Sequence, residues 1–357
     1  MISLFARWPV FHRLKQNGFA ATGAVVLIVL YFLAGFAGFF SPYSPIEDEF
    51  RDFFFHPPTP IHFRDEHGKF HMRPFVYSTQ IADRSRMIYT RVTQVKLPVR
   101  FFISGREYVL FGFYRSRMHI FGVDSPGHIF LFGTDQLGRD TFSRVLHGAQ
   151  ISLSIGLVGV LLTTILGMLF GGIAGFYGGK IDALIMRFAE ILMSIPTLYL
   201  ILTLRSILPD QLDSRWTYLI LVAVLSLAGW AGMSRVIRGM VLAIREEEFV
   251  VAARALGGSD ARILLHHILP NTLGYAVVRA TLLVPAYILA EVALSFLGAG
   301  VREPVPSWGN MLAAAQNLRV LEQFTWTLSP GVFLFLTVLA FNFIGDGLRD
   351  ALDPKLR

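Results

Sequence analysis

Long apolar stretches alternate with short polar segments over most of the chain. A helix needs roughly 20 apolar residues to cross the hydrocarbon core of a bilayer. Six stretches reach about that length, and they predict transmembrane helices over residues 19–40, 151–176, 183–204, 216–234, 272–297 and 324–345. The pattern therefore predicts an all-α polytopic membrane protein with six transmembrane helices.

Composition agrees with a membrane protein, because 54% of the residues are hydrophobic and only 16% are charged. Soluble domains average about 25% charged residues. The net charge is +7, but Lys and Arg are scattered between the apolar stretches. This distribution indicates loops near lipid headgroups and not a nucleic-acid partner. The absence of cysteine excludes disulfides, thiolate catalysis and cysteine metal sites.

Basic residues are concentrated in the short connections on one side of the predicted helices. They are Arg7, Arg13, Lys15, Lys180, Arg235, Arg238, Arg245, Arg254, Arg262, Arg349, Lys355 and Arg357. Because Lys and Arg in short loops favour the cytoplasmic side, both termini and the segment 235–270 are predicted to be cytoplasmic. The first apolar stretch is longer than the roughly 7–15 residues of a signal-peptide core, so we interpret it as an uncleaved anchor.

The segment between the first two predicted helices has a different pattern. Apolar and polar residues alternate over stretches such as 107–113 and 118–123, which is typical of strands. We predict a small β-rich extracytoplasmic insertion over 44–130. The predicted domains are therefore a cytoplasmic N-terminus with the first transmembrane helix (1–43), this insertion, and a transmembrane domain with five helices (131–357).

Two patterns mark the second predicted span. Before it, Thr134 or Asp135 is placed to cap an amphipathic helix at the outer membrane interface. Within it, glycines recur at every fourth residue: Gly167, Gly171, Gly175 and Gly179. Such a ladder lines one helix face and allows a neighbouring backbone to come close, so we interpret it as a helix-packing surface.

A polar segment over 248–271 separates the fourth and fifth spans. Small, helix-ending and capping residues define it: Ala252, Ala253, Leu256, Gly257, Gly258, Ser259 and Pro270. Gly257 and Gly258 are predicted to supply the left-handed backbone that ends a first short helix. Ser259 is placed to cap a second short helix, which Pro270 would stop. The pattern predicts a bent docking element for another protein, with an ordinary amphipathic connector as the alternative.

This segment resembles the coupling loop of ATP-binding-cassette importer permeases. Their pattern, Glu-Ala-Ala, three residues, Gly, nine residues, Ile-x-Leu-Pro, is matched at Ala252, Ala253, Gly257, Leu269 and Pro270. Val251 replaces the glutamate and His267 replaces the isoleucine. Three more stretches resemble the dipeptide, oligopeptide and nickel branch of that family: 132–140 (FGTDQLGRD), 294–298 with 306–309 (LSFLG, PSWG), and 345–354 (GDGLRDALDP).

The resemblance implies the second permease subunit of a peptide importer in a bacterial cytoplasmic membrane. Its implied partners are one further permease (a homologue or a second copy of this chain), two cytoplasmic ATPases that bind ATP and Mg, and an extracytoplasmic solute-binding protein. The implied ATPase-coupling residues are Glu248, Ala252, Ala253, Arg254, Leu256, Gly257, Arg262 and Pro270. Nickel or a peptide-like antibiotic is the alternative cargo, and a stand-alone secondary transporter or channel is the alternative class.

No catalytic or nucleotide-binding pattern is found in the chain, so we predict a translocation subunit and not an enzyme. The stretch 178–180 (Gly-Gly-Lys) fails as a phosphate loop, because Ala174 and Ile181 occupy the positions that require Gly and Ser or Thr. Zinc-protease and nucleophile-elbow motifs are also missing from the sequence. The six histidines of the insertion lack a flanking ligand set, and we interpret them as solvated or packed side chains.

Arg279 and Glu291 interrupt the fifth predicted span. They are 12 residues apart, about 18 Å along a helix, and cannot pair directly. We favour a structural role for these residues, as members of an ion pair or through snorkelling of Arg279 to the cytoplasmic face. The alternative is that Arg279 and Glu291 contact the translocation pathway, where Arg279 would meet carboxylates of a peptide-like cargo.

Overall fold

The computed structural model describes residues 16–47, 50–197, 199–200, 202–203 and 213–352. Most of them are helical. The helices are α1 (Gly18–Gly35), α2 (Ala37–Phe40), α3 (Thr141–Tyr177), α4 (Gly179–Ser194), α5 (Ser214–Ile244), α6 (Glu248–Ala255), α7 (Asp260–Phe296), α8 (Trp308–Leu312), α9 (Leu318–Gln323) and α10 (Ser329–Leu352).

Among the described residues, five helices are long and apolar enough to cross a membrane: α1, α3, α5, α7, and α10 with the turn before it. The protein is therefore a multi-pass helical membrane protein. The predicted span 183–204 coincides with α4 only as far as Ser194. Of the rest of that span, residues 198, 201 and 204 lie outside the described part of the chain.

The start of α3 differs from the prediction of a separate interfacial helix capped at Thr134 or Asp135. The Asp135 carboxylate instead accepts hydrogen bonds from two backbone amides of its own turn, at 2.8 and 3.0 Å. The helix begins at Thr141, where Asp140 accepts from the amide and the hydroxyl of Ser143 at 2.8 and 2.6 Å. The prediction of a cap at Asp135 was wrong because its carboxylate hydrogen-bonds to backbone amides of a turn, and such local hydrogen bonds compete with helix formation.

Antiparallel strands occupy the segment between the first two long helices. They are β1 (His62–Arg64), β2 (Phe70–Asp83), β3 (Ile88–Pro98), β4 (Arg100–Leu110) and β5 (Tyr114–Gly122). One sheet has the order β1-β2-β3, and β4 pairs with β5 in a separate hairpin. Val76, Val99 and Ile129 form a small buried core against these strands. The two alternating stretches noted in the sequence thus fall on one hairpin, whose turn lies at residues 111–113.

The chain forms two compact units. One unit holds the described residues up to Leu27, Ser154–Glu291, and the described residues from Thr337. The other unit holds Ile28–Leu153 and Val292–Leu336, which include the strands. The domain boundaries predicted at residues 43 and 130 were based on changes in amino-acid composition. The two units are instead defined by which residues contact each other in space.

Close helix packing in the first unit rests on glycines of α3. A Cβ added at Gly175 would lie 2.7 Å from the carbonyl oxygen of Arg238 and 2.8 Å from the Cβ of Val241, both on α5. Gly171, one turn earlier, and Gly167, two turns earlier, contact α5 in the same way. Gly179 is different, because it starts α4 with a φ of 56° and has no neighbouring atom within 4 Å of an added Cβ.

We expect Gly175→Ala to destabilise the contact between α3 and α5. The new methyl group would overlap backbone, and overpacking of this kind costs roughly 1–3 kcal/mol. Gly239→Ala in α5 is the matched control, since an added Cβ there meets no atom within 4 Å. Thermal unfolding of the detergent-purified variants measures the difference. An unfolding temperature of Gly175→Ala equal to that of Gly239→Ala would contradict the close packing.

Candidate functional site

The polar segment after α5 folds into a sharp bend, which we call the elbow (residues 248–270). Helix α6 ends in a Schellman motif, in which Gly257 N–H donates to the Arg254 carbonyl at 3.0 Å and Gly258 N–H donates to the Ala253 carbonyl at 3.1 Å. Gly257 has a φ of 78°, a left-handed conformation that glycine adopts without cost. The chain then enters α7 at Asp260, with Ser259 at the N-cap position but without a side-chain capping hydrogen bond.

One side of the elbow is anchored in an apolar cluster. Val250 of α6 is 1% exposed and Ile263 of α7 is fully buried. Both pack with Ile237 and Val241 of α5 and with Phe176 at the end of α3. The elbow is therefore fixed to three long helices of its own unit.

The other side of the elbow presents apolar side chains to the exterior. Leu256 is 88% exposed, and Phe249 and Val251 are 46% and 57% exposed. Leu265, at the start of α7, is 55% exposed. Phe249 and Leu256 are seven residues apart on one helix face, with Ala252 between them. This surface is what a partner protein could cover.

The predicted docking residues divide between these two sides. Ala252, Leu256 and Gly257 are exposed, whereas Ala253 is half-buried and packs against the apolar cluster. Sequence reasoning missed Phe249, although its spacing from Ala252 and Leu256 places it on the same face.

Pro270 does not end the second helix, so this part of the prediction was wrong. Residues Ile263–Ile268 form a π-helical turn, in which Leu269 N–H donates to the carbonyl of Leu264. The wider turn moves preceding carbonyl groups away from the proline ring, which would clash with them in an α-helix. The Asn271 side chain donates to the His267 carbonyl at 2.6 Å. Helix α7 therefore continues through Pro270 to Phe296.

Charged residues surround the apolar face of the elbow. The Arg254 guanidinium lies 5.8 Å from the ring centroid of Phe176 and is exposed to solvent on its other side. Glu248, in the first turn of α6, and Arg262, in the first turn of α7, are also exposed. An apolar patch with charged neighbours is the usual composition of a protein–protein interface.

The two ionisable residues of the fifth predicted span have different surroundings. Arg279 is exposed on α7, whereas Glu291 is completely buried on the same helix. Glu291 also has an interaction partner within the chain. The structure therefore places only Arg279 where another molecule could reach it.

A charged cluster that sequence reasoning missed lies in the second unit, before and at the start of α3. Arg139 donates to Asp135 at 2.8 Å and to Glu303 at 2.6 Å, and Arg144 donates to Glu303 at 2.8 Å. The two arginine side chains are only 4% and 1% exposed. The cluster lines a cavity of about 1010 Å³. Glu303 is 164 residues from Arg139, so no local spacing signals the pairing.

Glu303 holds this cluster together electrostatically. Burial acts to raise the pKa of Glu303, but the guanidinium groups of Arg144 and Arg139 outweigh it, and the pKa lies below its ordinary value of 4.5. A carboxyl whose pKa is lowered on folding stabilises the folded state above its unfolded pKa. That contribution is lost as the pH falls through the lowered pKa.

Comparison with protein families gives two matches. Residues 167–357 match the family model described as a binding-protein-dependent transport system inner membrane component. Residues 7–58 match the model for the N-terminal TM domain of oligopeptide transport permease C. The first match alone covers more than half of the chain.

Several curated proteins are similar to this chain. The dipeptide transport system permease protein DppC of Bacillus subtilis is 44% identical over 228 residues, which cover 63% of this chain and 69% of DppC. The oligopeptide transport system permease protein OppC of Bacillus subtilis is 44% identical over 227 residues, covering 63% and 72%. The OppC of Haemophilus influenzae is 45% identical over 229 residues, covering 63% and 70%.

Among solved structures, the crystal structure of an amino acid ABC transporter with histidines matches 57% of this chain and 91% of its own, at 15% identity. Its TM-score of 0.42 is too low to carry a structural argument.

We expect Glu303→Gln to destabilise the charged cluster, because it leaves two buried guanidinium groups with one carboxylate. Breaking a buried pair costs roughly 3–5 kcal/mol. Glu303 itself is 47% exposed, so solvent screening reduces the expected loss to roughly 2 kcal/mol. Thermal unfolding near neutral pH measures this loss of stability. The difference in unfolding temperature between the natural protein and Glu303→Gln should become smaller as the pH is lowered. The control is Glu322→Gln at an exposed position of α9. Equal stability of the two variants would contradict the role of Glu303.

Proposed function

This chain belongs to the family of binding-protein-dependent transport system inner membrane components, and we propose that it is the permease subunit of an ATP-driven peptide importer. Peptide cargo is supported by its relatives, which are named as dipeptide and oligopeptide transport permeases. The chain would carry out no covalent chemistry. ATP and Mg would be bound by separate ATPase subunits.

The observation that carries this proposal is the two-sided elbow. On one side of the elbow, Leu256 is 88% exposed. On the other side, Val250 and Ile263 pack in the apolar cluster formed with the long helices. A group of exposed apolar side chains, here Phe249, Val251 and Leu256, is expected where a partner covers it. A stand-alone transporter or channel would leave Leu256 in water without a function.

A push on the elbow would reach the long helices through packed side chains. The cluster around Val250 and Ile263 joins α6 to α3, α5 and α7. An ion pair between Arg238 of α5 and Asp182 of α4 adds α4 to this group. Rigid elements joined by close packing transmit displacement. ATPase closure would therefore move this group of helices together and alternate access to the pathway.

The proposed assembly has one further permease, a homologue or a second copy, with two cytoplasmic ATPases and an extracytoplasmic solute-binding protein. We propose six spans, namely the five long helices described above and the span that the sequence predicts over 183–204. An even number puts both termini and the elbow on one side of the membrane, which we propose is the cytoplasmic side, and the strands on the other side. The charge distribution of the short loops supports that orientation. The membrane would be a bacterial cytoplasmic membrane, because the matching family is described as an inner membrane component and the relatives are bacterial proteins.

Arg279 is the residue that we propose for the translocation pathway. A guanidinium facing lipid near the bilayer centre would cost roughly 3 kcal/mol. Its exposed position on α7 therefore favours the second permease or a water-filled path over lipid. In the path it could pair with the carboxylate of a peptide. The complete burial of Glu291 favours a structural role for that residue.

Sidedness and partner contact are tested with single cysteines, which the natural chain lacks. We expect Leu256→Cys to react with a membrane-impermeant thiol reagent only after cells are permeabilised. Arg86→Cys, in the turn between β2 and β3, should react in intact cells. In the assembled complex, Leu256→Cys should cross-link to a nucleotide-hydrolysing subunit. Labelling of Leu256→Cys from outside, or no such cross-link, would overturn the docking role.

Coupling is tested with Gly257→Ala in the complete complex reconstituted in proteoliposomes. A Cβ at Gly257 meets no atom within 4 Å, but the φ of 78° remains, which costs roughly 1–2 kcal/mol for other residues. We expect fewer labelled dipeptides imported per ATP hydrolysed. Gly274→Ala in α7, where an added Cβ is also free of contacts, is the control.

The cargo is distinguished in the same vesicles by offering labelled dipeptide and nickel separately. Dipeptide uptake by the natural complex supports the proposed cargo, whereas uptake of nickel alone would overturn it. If Gly257→Ala and Gly274→Ala import the same amount of cargo per ATP hydrolysed, the coupling role of the elbow is contradicted, whichever cargo is transported.

A further inference from the structure

The hairpin formed by β4 and β5 ends in an exposed aromatic tip (residues 111–114). Phe111, Phe113 and Tyr114 are 61%, 81% and 59% exposed. No charged residue occurs from Tyr108 to Tyr114. Water is an unfavourable environment for such a concentration of apolar surface, and exposed patches of this kind mark interaction sites.

The tip lies against the C-terminal end of the first long helix, within the same unit. The rings of Phe111 and Phe36 meet edge to face, with centroids 5.3 Å apart. Phe111 also approaches Gly35, where an added Cβ would be 3.8 Å from its ring. Nearer the base of the hairpin, His119 lies between the carbonyl oxygens of Ser41 and Arg106, 2.6 and 2.9 Å from its two ring nitrogens. The hairpin is thus attached to the helix end at several points.

The contact with α1 sets the depth of the tip. The uncharged stretch from Gly18 to Phe40 follows Lys15, Gln16 and Asn17 in the sequence, and a hydrocarbon core about 30 Å thick is crossed by roughly 20 helical residues. The far boundary of that core therefore falls close to Gly38. Gly35 and Phe36 lie on the membrane side of this boundary. Phe111, which touches both, is placed at the depth of the lipid acyl chains.

The aromatic surface of the tip continues the exposed surface of α1. Phe32 is 52% exposed on α1, and its ring lies 4.8 Å from that of Phe36. Phe36 in turn contacts Phe111. Arg115 and Arg117 follow the tip on β5, with side chains 78% and 68% exposed. Aromatic residues at the acyl boundary with arginines at headgroup level are typical of membrane-interface elements.

The backbone of the turn supports the same interpretation. Phe111 and Gly112 have φ values of 52° and 81°, the left-handed pair of a type I′ turn. Asn, Asp or Gly is the usual first residue of such a turn, and a bulky side chain such as that of Phe is disfavoured in this left-handed conformation. A phenylalanine at this position is understandable if its ring gains contacts that water does not provide.

We propose that this hairpin tip is a membrane anchor that inserts into the lipid leaflet at the C-terminal end of α1. In the proposed orientation this is the outer leaflet. The occupant of the exposed aromatic surface is lipid acyl chain, and the two arginines lie among phosphate headgroups. The inference requires only that α1 crosses the membrane, and it does not depend on which cargo is imported.

The proposal is tested by spin labels in the full-length chain in lipid nanodiscs. Because the chain has no cysteine, Phe113→Cys and, separately, Tyr114→Cys carry the label. Ile28→Cys, 68% exposed on α1, is the lipid reference, and Arg86→Cys is the aqueous reference. Collision rates with oxygen, which partitions into lipid, and with a water-soluble nickel chelate are measured. We expect an oxygen-to-nickel ratio at both tip positions several-fold above that at Arg86→Cys.

Two results would overturn the anchor. Ratios at the tip equal to that at Arg86→Cys would place it in water. Protection from both oxygen and the nickel chelate would show that protein, such as a second copy of the chain, covers the tip. Because neither labelled position is buried, the label should not disturb folding, and the ratio at Ile28→Cys confirms membrane insertion.

Discussion

Burial of Val250 and Ile263 in the apolar cluster is the interaction on which the elbow depends. Each fully buried aliphatic side chain contributes about 1.5–3 kcal/mol, and these two anchor points lie on either side of the glycine bend. The Schellman motif fixes the angle between them. The elbow is consequently a rigid projection. Its exposed face, centred on Leu256, contributes nothing to the stability of the chain and is available to a partner.

Glycine packing extends this rigidity along the bundle. Because Gly167, Gly171 and Gly175 have no side chains, α3 lies directly against α5 over three turns. Small residues at such interfaces replace the hydrophobic driving force that is missing between helices in lipid. The ion pair between Arg238 and Asp182 fixes α4 to the same group. Under the proposed function, a displacement at the elbow would therefore move these helices together.

Hydropathy and four local motifs were sufficient to predict a multi-pass helical membrane protein and its transport family, and both are confirmed. The details that were wrong depend on interactions beyond local spacing. Pro270 was expected to end a helix, but a π-helical turn removes the clash. Ala253 was assigned to the docking face, yet the crossing of α6 over the cluster turns it inward. The pairing of Arg139 with Glu303 joins distant segments, so no sequence pattern could reveal it.

The exposed apolar face of the elbow and the aromatic hairpin tip differ in the charged residues that surround them. This difference indicates whether protein or lipid covers each surface. The elbow places Arg254, Arg262 and Glu248 around Leu256. Such charges remain hydrated beside a protein interface, but inserting them into acyl chains would be costly. The hairpin tip has no charge between Tyr108 and Tyr114 and touches a helix at membrane depth. Protein is therefore the favourable covering for the elbow, and lipid is the favourable covering for the tip.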